Sequence, residues 1–448
     1  MTRIPESTDP VFRRLVDGGL LYDSVAGCIH HLNETAAVIC ECWRQPMSEE
    51  EIVQVLMERF EVDASVALLH VRSTIGRLRG GSGRMRQVEQ ALEMARLGVV
   101  GGAWPVGVEE AIVTEGLEGL FVARAGGDRP VPAAWYRAHA STATTTTVAL
   151  QELAEALRIL EQQGHDLVLL PGAALLRFYP DAGCRPMDDV DLLCPEGRTA
   201  DVTDALTELG WTTTPRYPDL LNGRHVGIDL HDDLFHCQRI AARRRAGWLD
   251  PEQIWAHRRR VQVEGLQFWG LSAEDEVLYT AAHALRHSYR RVTWLVDLAL
   301  QLGDRTLDGG RLRYRAEASG LNLPLLYGLT LLHAARVDLP ASVRDWYAEC
   351  APGRTSRRVL QWVLGSRHST CVGEVLWNWT CPHRGDRLRL MREFMFPRTD
   401  VLLQVFPRVP RRLAPLTYGL RCGQLLLRLA QELATTIPGP LGRRMRRG

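Results

Sequence analysis

The chain contains no lysine: all 54 of its basic residues are arginine. That absence excludes a lysine-bearing P-loop, a kinase-type phosphate lysine and Schiff-base catalysis. CxxC pairs are missing too. The ten cysteines are scattered, and Cys28, Cys194 and Cys237 sit inside apolar runs, the pattern of reduced structural thiols in a cytosolic protein. Cys371, Cys381 and His383 match no zinc-ligand spacing. Neither sign of charge is in excess, with 54 basic against 53 acidic residues, so no global field favours nucleic acid as a partner. No N-terminal signal segment and no apolar stretch long enough to span a bilayer is visible, so a cytoplasmic location is expected. At 448 residues, 46% hydrophobic and 24% charged, the sequence has the make-up of an ordinary globular protein of two or three domains.

What is present concentrates between Leu167 and Leu193, LVLLPGAALLRFYPDAGCRPMDDVDLL. An apolar strand-like run closes on Gly172, a short helix-like segment follows, and Asp189 and Asp191 flank Val190. Alternate residues of a strand share a face, so the two carboxylates project together while Val190 enters the core. Convergent carboxylates at a strand end suit a divalent cation that steers a phosphorylated substrate. The glycine turn lets backbone N–H groups approach phosphate oxygens.

Residues 10 to about 80 read as a compact unit. VFRRL, GLLYD and AGCIHHL are short strand-like segments, with a break at Asp23-Ser24. Asn33 caps a helix over Thr35 to Trp43. Pro46 and Ser48 open a second, SEEEIVQVLMERF, with Ile52, Val55, Leu56 and Phe60 at helical spacing. A third is expected over Asp63 to Arg79. This order, with LNETAAVICECW and MSEEEIVQVLMERFEVD, resembles the PqqD-like peptide-recognition domains of ribosomal-peptide biosynthesis. The resemblance implies a small winged-helix-like domain of three strands and three helices. Such a domain binds the leader of a precursor peptide as an added strand beside its sheet, a mode in which an open edge supplies main-chain hydrogen bonds.

Gly80 to Gly83 looks like a linker. The Ser/Thr run at 141 to 147 is expected to be loop and cap ahead of an amphipathic helix from Val148 to Gln162. A helix over Glu196 to Leu209 and strands at Trp211 to Thr214 and His225 to His231 make residues about 145 to 235 an α/β unit. The expected fold class is α+β, divided as 1–80 peptide-binding, 81–139 linker and helical connector, 140–300 catalytic α/β, and 301–448 helical with a basic tail.

Two-metal phosphoryl and nucleotidyl transfer commonly uses a third carboxylate from a neighbouring strand, and Asp229 in HVGIDLHDDL is the candidate. The segments GAALLRFYPDAGCRPMDDVDLL, IDLHDDL and LSAEDEVLYTAAHALRHSYRRVTWLVDLALQL resemble the family of uncharacterised nucleotidyltransferases over about 140 to 300. The resemblance implies catalytic and metal-binding roles for Asp189, Asp191 and Asp229. It implies nucleotide contacts at Gly172 and Ala173, and at Arg185, whose guanidinium suits bidentate phosphate recognition. His287 and Arg291 are further nucleotide-binding candidates. His283 and His287, four apart on a helix, either touch the nucleotide or a metal, or pack against Asp297 and backbone. His231 either orients substrate or is a buried hydrogen-bonded residue. Asp188 reads as a turn residue. The sequence departs from the family at Pro171, where lysine is common, so a phosphate contact is either absent or supplied by arginine.

The expected function is an Mg²⁺- or Mn²⁺-dependent nucleotidyltransferase that uses an NTP, ATP above all, to modify a leader-bound ribosomal peptide. Other peptide-maturation enzymes are candidate partners. Two alternatives stand beside it: a non-catalytic peptide-binding scaffold with a degenerate nucleotidyltransferase domain, and a transferase acting on a protein, an RNA or a small antibiotic.

Overall fold

The structure is a computed structural model that describes residues 11–15, 18–23, 28–45, 47–60, 64, 67–68, 71, 112–124, 131–187, 189–214, 217–237, 239–365, 371–381, 383–399, 401–402, 406 and 417–425. In the N-terminal unit, β1 (Val11–Leu15), β2 (Gly18–Asp23) and β3 (Cys28–Asn33) form an antiparallel sheet in chain order. Helices α1 (Glu34–Trp43) and α2 (Glu49–Phe60) follow. A capping box opens α2: the Glu51 N–H donates to Ser48 Oγ at 3.2 Å and the Ser48 N–H donates to the Glu51 carboxylate at 2.7 Å. Val38, Ile39, Ile52 and Leu56 then share a buried cluster with Ala67 and Val71. Most of the helix expected over Asp63 to Arg79, as well as Asp188 and the arginine-rich tail, lies outside the described residues.

The larger body is built on a mixed sheet of β4 (Val168–Leu169), β5 (Val190–Leu193), β6 (Thr212–Thr214), β7 (Tyr217–Asn222), β8 (Gly227–His231), β9 (Arg259–Val263) and β10 (Leu266–Gly270). Its order is β6-β7-β8-β5-β4-β10-β9, with β5/β8 and β4/β10 parallel and the other pairs antiparallel. Its helices begin with α3 (Glu118–Arg124), α4 (Ala133–Gln162), α5 (Thr199–Glu208), α6 (Pro251–His257), α7 (Ala273–Arg286) and α8 (Thr293–Leu302). Six more follow, α9 (Gly309–Ser319), α10 (Asn322–Ala334), α11 (Ala341–Cys350), α12 (Arg354–Gly365), α13 (Cys371–Thr380) and α14 (Arg384–Met395).

Period-2 alternation divides the interior into two cores. Leu169, Val190, Leu192, Ile228 and Leu230 pack with Leu150, Leu153 and Leu160 of α4 and with Val202 and Leu206 of α5. On the opposite side, Val168, Leu170 and Leu193 belong to a second core with Val277, Leu278 and Leu285 of α7 and the helices after it. That second core also holds Ile112, Leu117, Phe121 and Trp135, which lie within the segment expected to be a connector. The domain boundaries expected at 139/140 and 300/301 fall inside α4 and α8.

The loop expected at 141 to 147 is a correction: α4 runs unbroken through it. Thr144 Oγ1 donates to the Ala140 carbonyl at 2.9 Å and Thr145 Oγ1 to that of Ser141 at 3.0 Å, so these hydroxyls bond back along the helix, while Thr146 is buried. The sheet also extends beyond the unit expected to end near 235. The hairpin β9–β10 turns through Glu264 and Gly265, both with positive φ, and buries Val261, Val263 and Phe268. Among the described residues no helix is long and apolar enough to cross a membrane.

The turn that carries Arg185 is packed tightly on α3. A Cβ placed at Gly119 would overlap the carbonyl of Gly183. Gly119→Ala is therefore expected to cost about 1–3 kcal/mol. Gly385→Ala, in the first turn of α14 with open space around it, should not lower the unfolding midpoint in the same thermal melt.

Candidate active site

The parallel register of β5 on β8 sets Asp191 beside Asp229 and Leu193 beside His231. Asp191, Asp229 and His231 therefore share one sheet face, while Val190 is buried on the other. His231 Nε2 lies 2.8 Å from Asp191 Oδ1 and 3.6 Å from Asp229 Oδ2, and one donor atom from each of the three residues falls within 4.8 Å of the others. Such a set of two carboxylates and an imidazole can hold a divalent cation. Asp189, just ahead of β5, is exposed and lines the same cavity, outside that close group.

Burial pushes the Asp229 carboxyl up to about 6, the charges of Asp191 and Asp189 act in the same direction, and His231 opposes them. Burial pulls His231 down, but its hydrogen bond to Asp191 and the two carboxylate charges outweigh that and hold it above its ordinary value.

The cavity has a volume of about 360 Å³. Gly172 lines it at φ +138°, a backbone conformation that strains any side chain. Ala173 opens the following 3-10 turn with its side chain buried in the core. Arg185 also lines the wall, but its guanidinium is engaged: Nε and Nη2 donate to the two oxygens of Asp297 at 2.9 Å each, and the Tyr179 hydroxyl donates to Asp297 Oδ1 at 2.7 Å. Burial disfavours the Arg185 charge, and Asp297 more than restores it. The Asp297 partnership considered for His283 and His287 belongs instead to Arg185 and Tyr179.

Facing the carboxylates is the last part of α7. Tyr279, His283, Arg286 and His287 recur at helical spacing on one face and line the cavity. Ser288 and Tyr289 then adopt positive φ of 57° and 48°. The chain turns there, and Arg290, Arg291 and Trp294 line the same wall. Non-glycine residues in this region are held by their surroundings: Tyr289 is fully buried and Ser288 Oγ accepts the Gly373 N–H at 2.9 Å. Burial, followed by the charges of Arg286 and Arg290, drives His287 down to about 3. His287 is thus neutral near pH 7, and its Nε2 accepts from Arg286 Nη2 at 3.0 Å. His283 is also held neutral, first by burial.

Neither Arg286 nor His236 was marked by the sequence as a site residue. Arg286 carried a signal, since it lies three after His283 on the same helical face. Among the described residues Arg286 has no carboxylate within ion-pair distance, and its hydrogen bond is to His287. Outside the cavity, His139, Asp181 and Cys184 also cluster. There Asp181 Oδ1 takes the Gly183 N–H at 2.8 Å and meets the His139 ring at 2.7 Å, which makes it a turn cap.

The raised Asp229 pKa gives a pH-dependent stability. Above about 6 the folded state carries a charge its surroundings disfavour, and below the unfolded value of 3.8 both states are protonated. Asp229→Asn should stabilise the metal-free chain at pH 7.5 by on the order of 1 kcal/mol, a figure discounted for partial solvent screening. That gain should fade as pH drops from 6 towards 4 in chemical denaturation curves. An equal effect at pH 4 and pH 7.5 would contradict the assignment.

The family described as "Uncharacterised nucleotidyltransferase" matches residues 111–335, and the one described as "Coenzyme PQQ synthesis protein D (PqqD)" matches residues 18–81. No curated protein matches the chain. Among solved structures the chain is similar to an antigenic nucleotidyltransferase-like protein from Paracoccidioides brasiliensis, at 15% identity and a TM-score of 0.30, over 44% of this chain and 94% of that one. With half of its length matched, the chain belongs to the uncharacterised nucleotidyltransferase family and carries a PqqD domain ahead of that region.

Proposed function

We propose that the protein is a divalent-cation-dependent nucleotidyltransferase that modifies a ribosomally made peptide, held through its leader by the PqqD domain. The observation that carries this reading is the meeting, around one cavity, of Asp189, Asp191 and Asp229 with Arg286, Arg290 and Arg291. Acids on one wall suit a cation, and guanidinium groups on the other suit a triphosphate. Pro171 stands where the family commonly has lysine, and the arginines of this wall take over that phosphate contact.

Asp191 and Asp229 would hold the cation, with Asp189 outside that close group on the cavity wall. When bound, the cation neutralises charge developing on the attacking and leaving oxygens. Arg286, Arg290 and Arg291 hold the phosphate chain in place, and the backbone at Gly172 gives close access beside it. A peptide hydroxyl, which loses its proton to solvent, or an already ionised peptide carboxylate forms the new bond to the α-phosphorus. The α–β anhydride bond breaks and pyrophosphate leaves. Binding the leader on the PqqD domain raises the effective concentration of an otherwise weak acceptor.

Incubation with α-labelled ATP, Mg²⁺ or Mn²⁺ and the precursor peptide is expected to give a nucleotidylated peptide with release of pyrophosphate. Asp191→Asn should slow adduct formation by about 100-fold or more. Arg286→Ala should raise the KM for the nucleotide by about tenfold, the loss of one charge-assisted hydrogen bond. Leader binding with no adduct from any NTP, and peptide maturation unchanged in Asp191→Asn, would establish the scaffold reading instead.

A further inference from the structure

We infer that His231 is itself a ligand of the cation centre, beside Asp191 and Asp229, and that its nitrogen makes the centre prefer a first-row transition-metal dication to Mg²⁺. The inference rests on the metal-dependent reading above and adds to it the identity of the cation.

Asp229 and His231 are two apart on β8, so they share a face, and β8 is locked to β5 by its register and by the Cys194 N–H donating to the His231 carbonyl at 2.8 Å. An imidazole that only orients a carboxylate ligand needs to meet one acid, from its outer side. His231 Nε2 instead meets two, Asp191 Oδ1 at 2.8 Å and Asp229 Oδ2 at 3.6 Å, so the nitrogen points between the carboxylates. The ring is held in that direction. His231 is buried, and it packs edge-on against His236 with centroids 5.0 Å apart. A cation placed between Asp191 and Asp229 therefore meets Nε2 as a third donor. Asp189, the acid that sequence pairs most directly with Asp191, lies outside this close group.

The donor set decides the metal. Mg²⁺ takes oxygen ligands and retains water, whereas imidazole nitrogen favours the first-row transition metals, with affinity rising from Mn²⁺ to later members. Mn²⁺, at the weak end of that order, is a suitable probe because it is paramagnetic and shows a directly bound nitrogen in its resonance.

The full chain, stripped of metal with a chelator, is titrated with Mn²⁺ and studied by continuous-wave and pulsed electron paramagnetic resonance. Bound Mn²⁺ is expected to show ¹⁴N modulation from a directly coordinated imidazole. The modulation should vanish in His231→Asn and survive in His236→Asn. His231→Asn should also weaken Mn²⁺ binding by about 10- to 100-fold, while Mg²⁺ affinity measured by competition changes by less than about threefold. His231→Gln provides the same comparison if the asparagine variant does not fold, as judged by circular dichroism. Bound Mn²⁺ without ¹⁴N modulation in the wild-type chain, or modulation that persists without His231, overturns the inference and leaves the carboxylate centre standing. Failure of the wild-type chain to bind either cation overturns both.

Discussion

In the middle of the sheet, β5 and β8 run parallel with Val190 beside Ile228, Asp191 beside Asp229 and Leu193 beside His231, and the chemistry of the cavity follows from that register. Because side chains alternate, a slip of one residue in either strand would turn its acid into the core that Leu150, Leu153 and Val202 line. The register is specified by what the other face buries: Val190, Leu192, Ile228 and Leu230 are all nearly inaccessible to solvent. Apolar burial on one side of the sheet thus fixes the meeting of carboxylates on the other. The acids cost stability through crowding and partial desolvation, which the raised Asp229 pKa expresses, and the hydrophobic face offsets that cost.

The opposite wall depends on how α7 is anchored. Ser272 caps the helix, and its first turn carries three buried acids, each matched by arginine from elsewhere in the chain. Glu276 pairs with Arg177, Asp275 accepts from Arg315 at 2.6 Å and Glu274 from Arg311 at 3.3 Å. Acids at the N-terminal end also complement the helix dipole. Buried pairs of this kind add little net stability, but breaking one is expensive, so they specify position more than they strengthen the fold. With its first turn held, α7 projects Arg286 and His287 from its last turn over the carboxylates. The burial that keeps His283 and His287 neutral follows from the same packing.

Much of this was legible in the sequence where a local pattern carried it. The order of a glycine turn, Asp-x-Asp and a later strand acid marked Gly172, Asp189, Asp191 and Asp229, and the structure gathers all four around one cavity. Short alternating runs marked the N-terminal strands, and Pro46 and Ser48 marked the start of α2. Elements defined by distant contacts were not legible. The threonine run at 141 to 147 has weak helix propensity, and its helical state depends on back-bonded hydroxyls and on burial of Thr146. The hairpin of β9 and β10 lay beyond the α/β unit expected to end near 235, because the burial of Val261 and Val263 after Arg259 and Arg260 depends on β10 and on the core that the hairpin covers. Arg185 read as a free phosphate ligand, and Asp297, 112 residues away, takes two of its nitrogens.

The absence of lysine then has a structural consequence at the site. A lysine at position 171 would bring a compact charge to the glycine turn itself, whereas Pro171 brings none. The arginines that line the cavity there come from the far end of α7 and the turn after it, a different side of the cavity. Guanidinium groups in that position cannot be deprotonated in the physiological range and present planar forks, so they bind a phosphate chain along its length more than at one oxygen. Arg185, clamped on Asp297, keeps its charge at the wall while its direction is fixed. Arg286 differs from it in having no carboxylate at ion-pair distance among the described residues: burial and the nearby Arg243 lower its pKa. A partly buried cation without a matching acid is destabilising on its own. An anion between α7 and the carboxylates would relieve that cost, and a cation held by Asp191 and Asp229 would keep it from being repelled by the opposite wall. Under the proposed function, phosphate and metal would favour each other in this cavity, and the two walls would act as a pair.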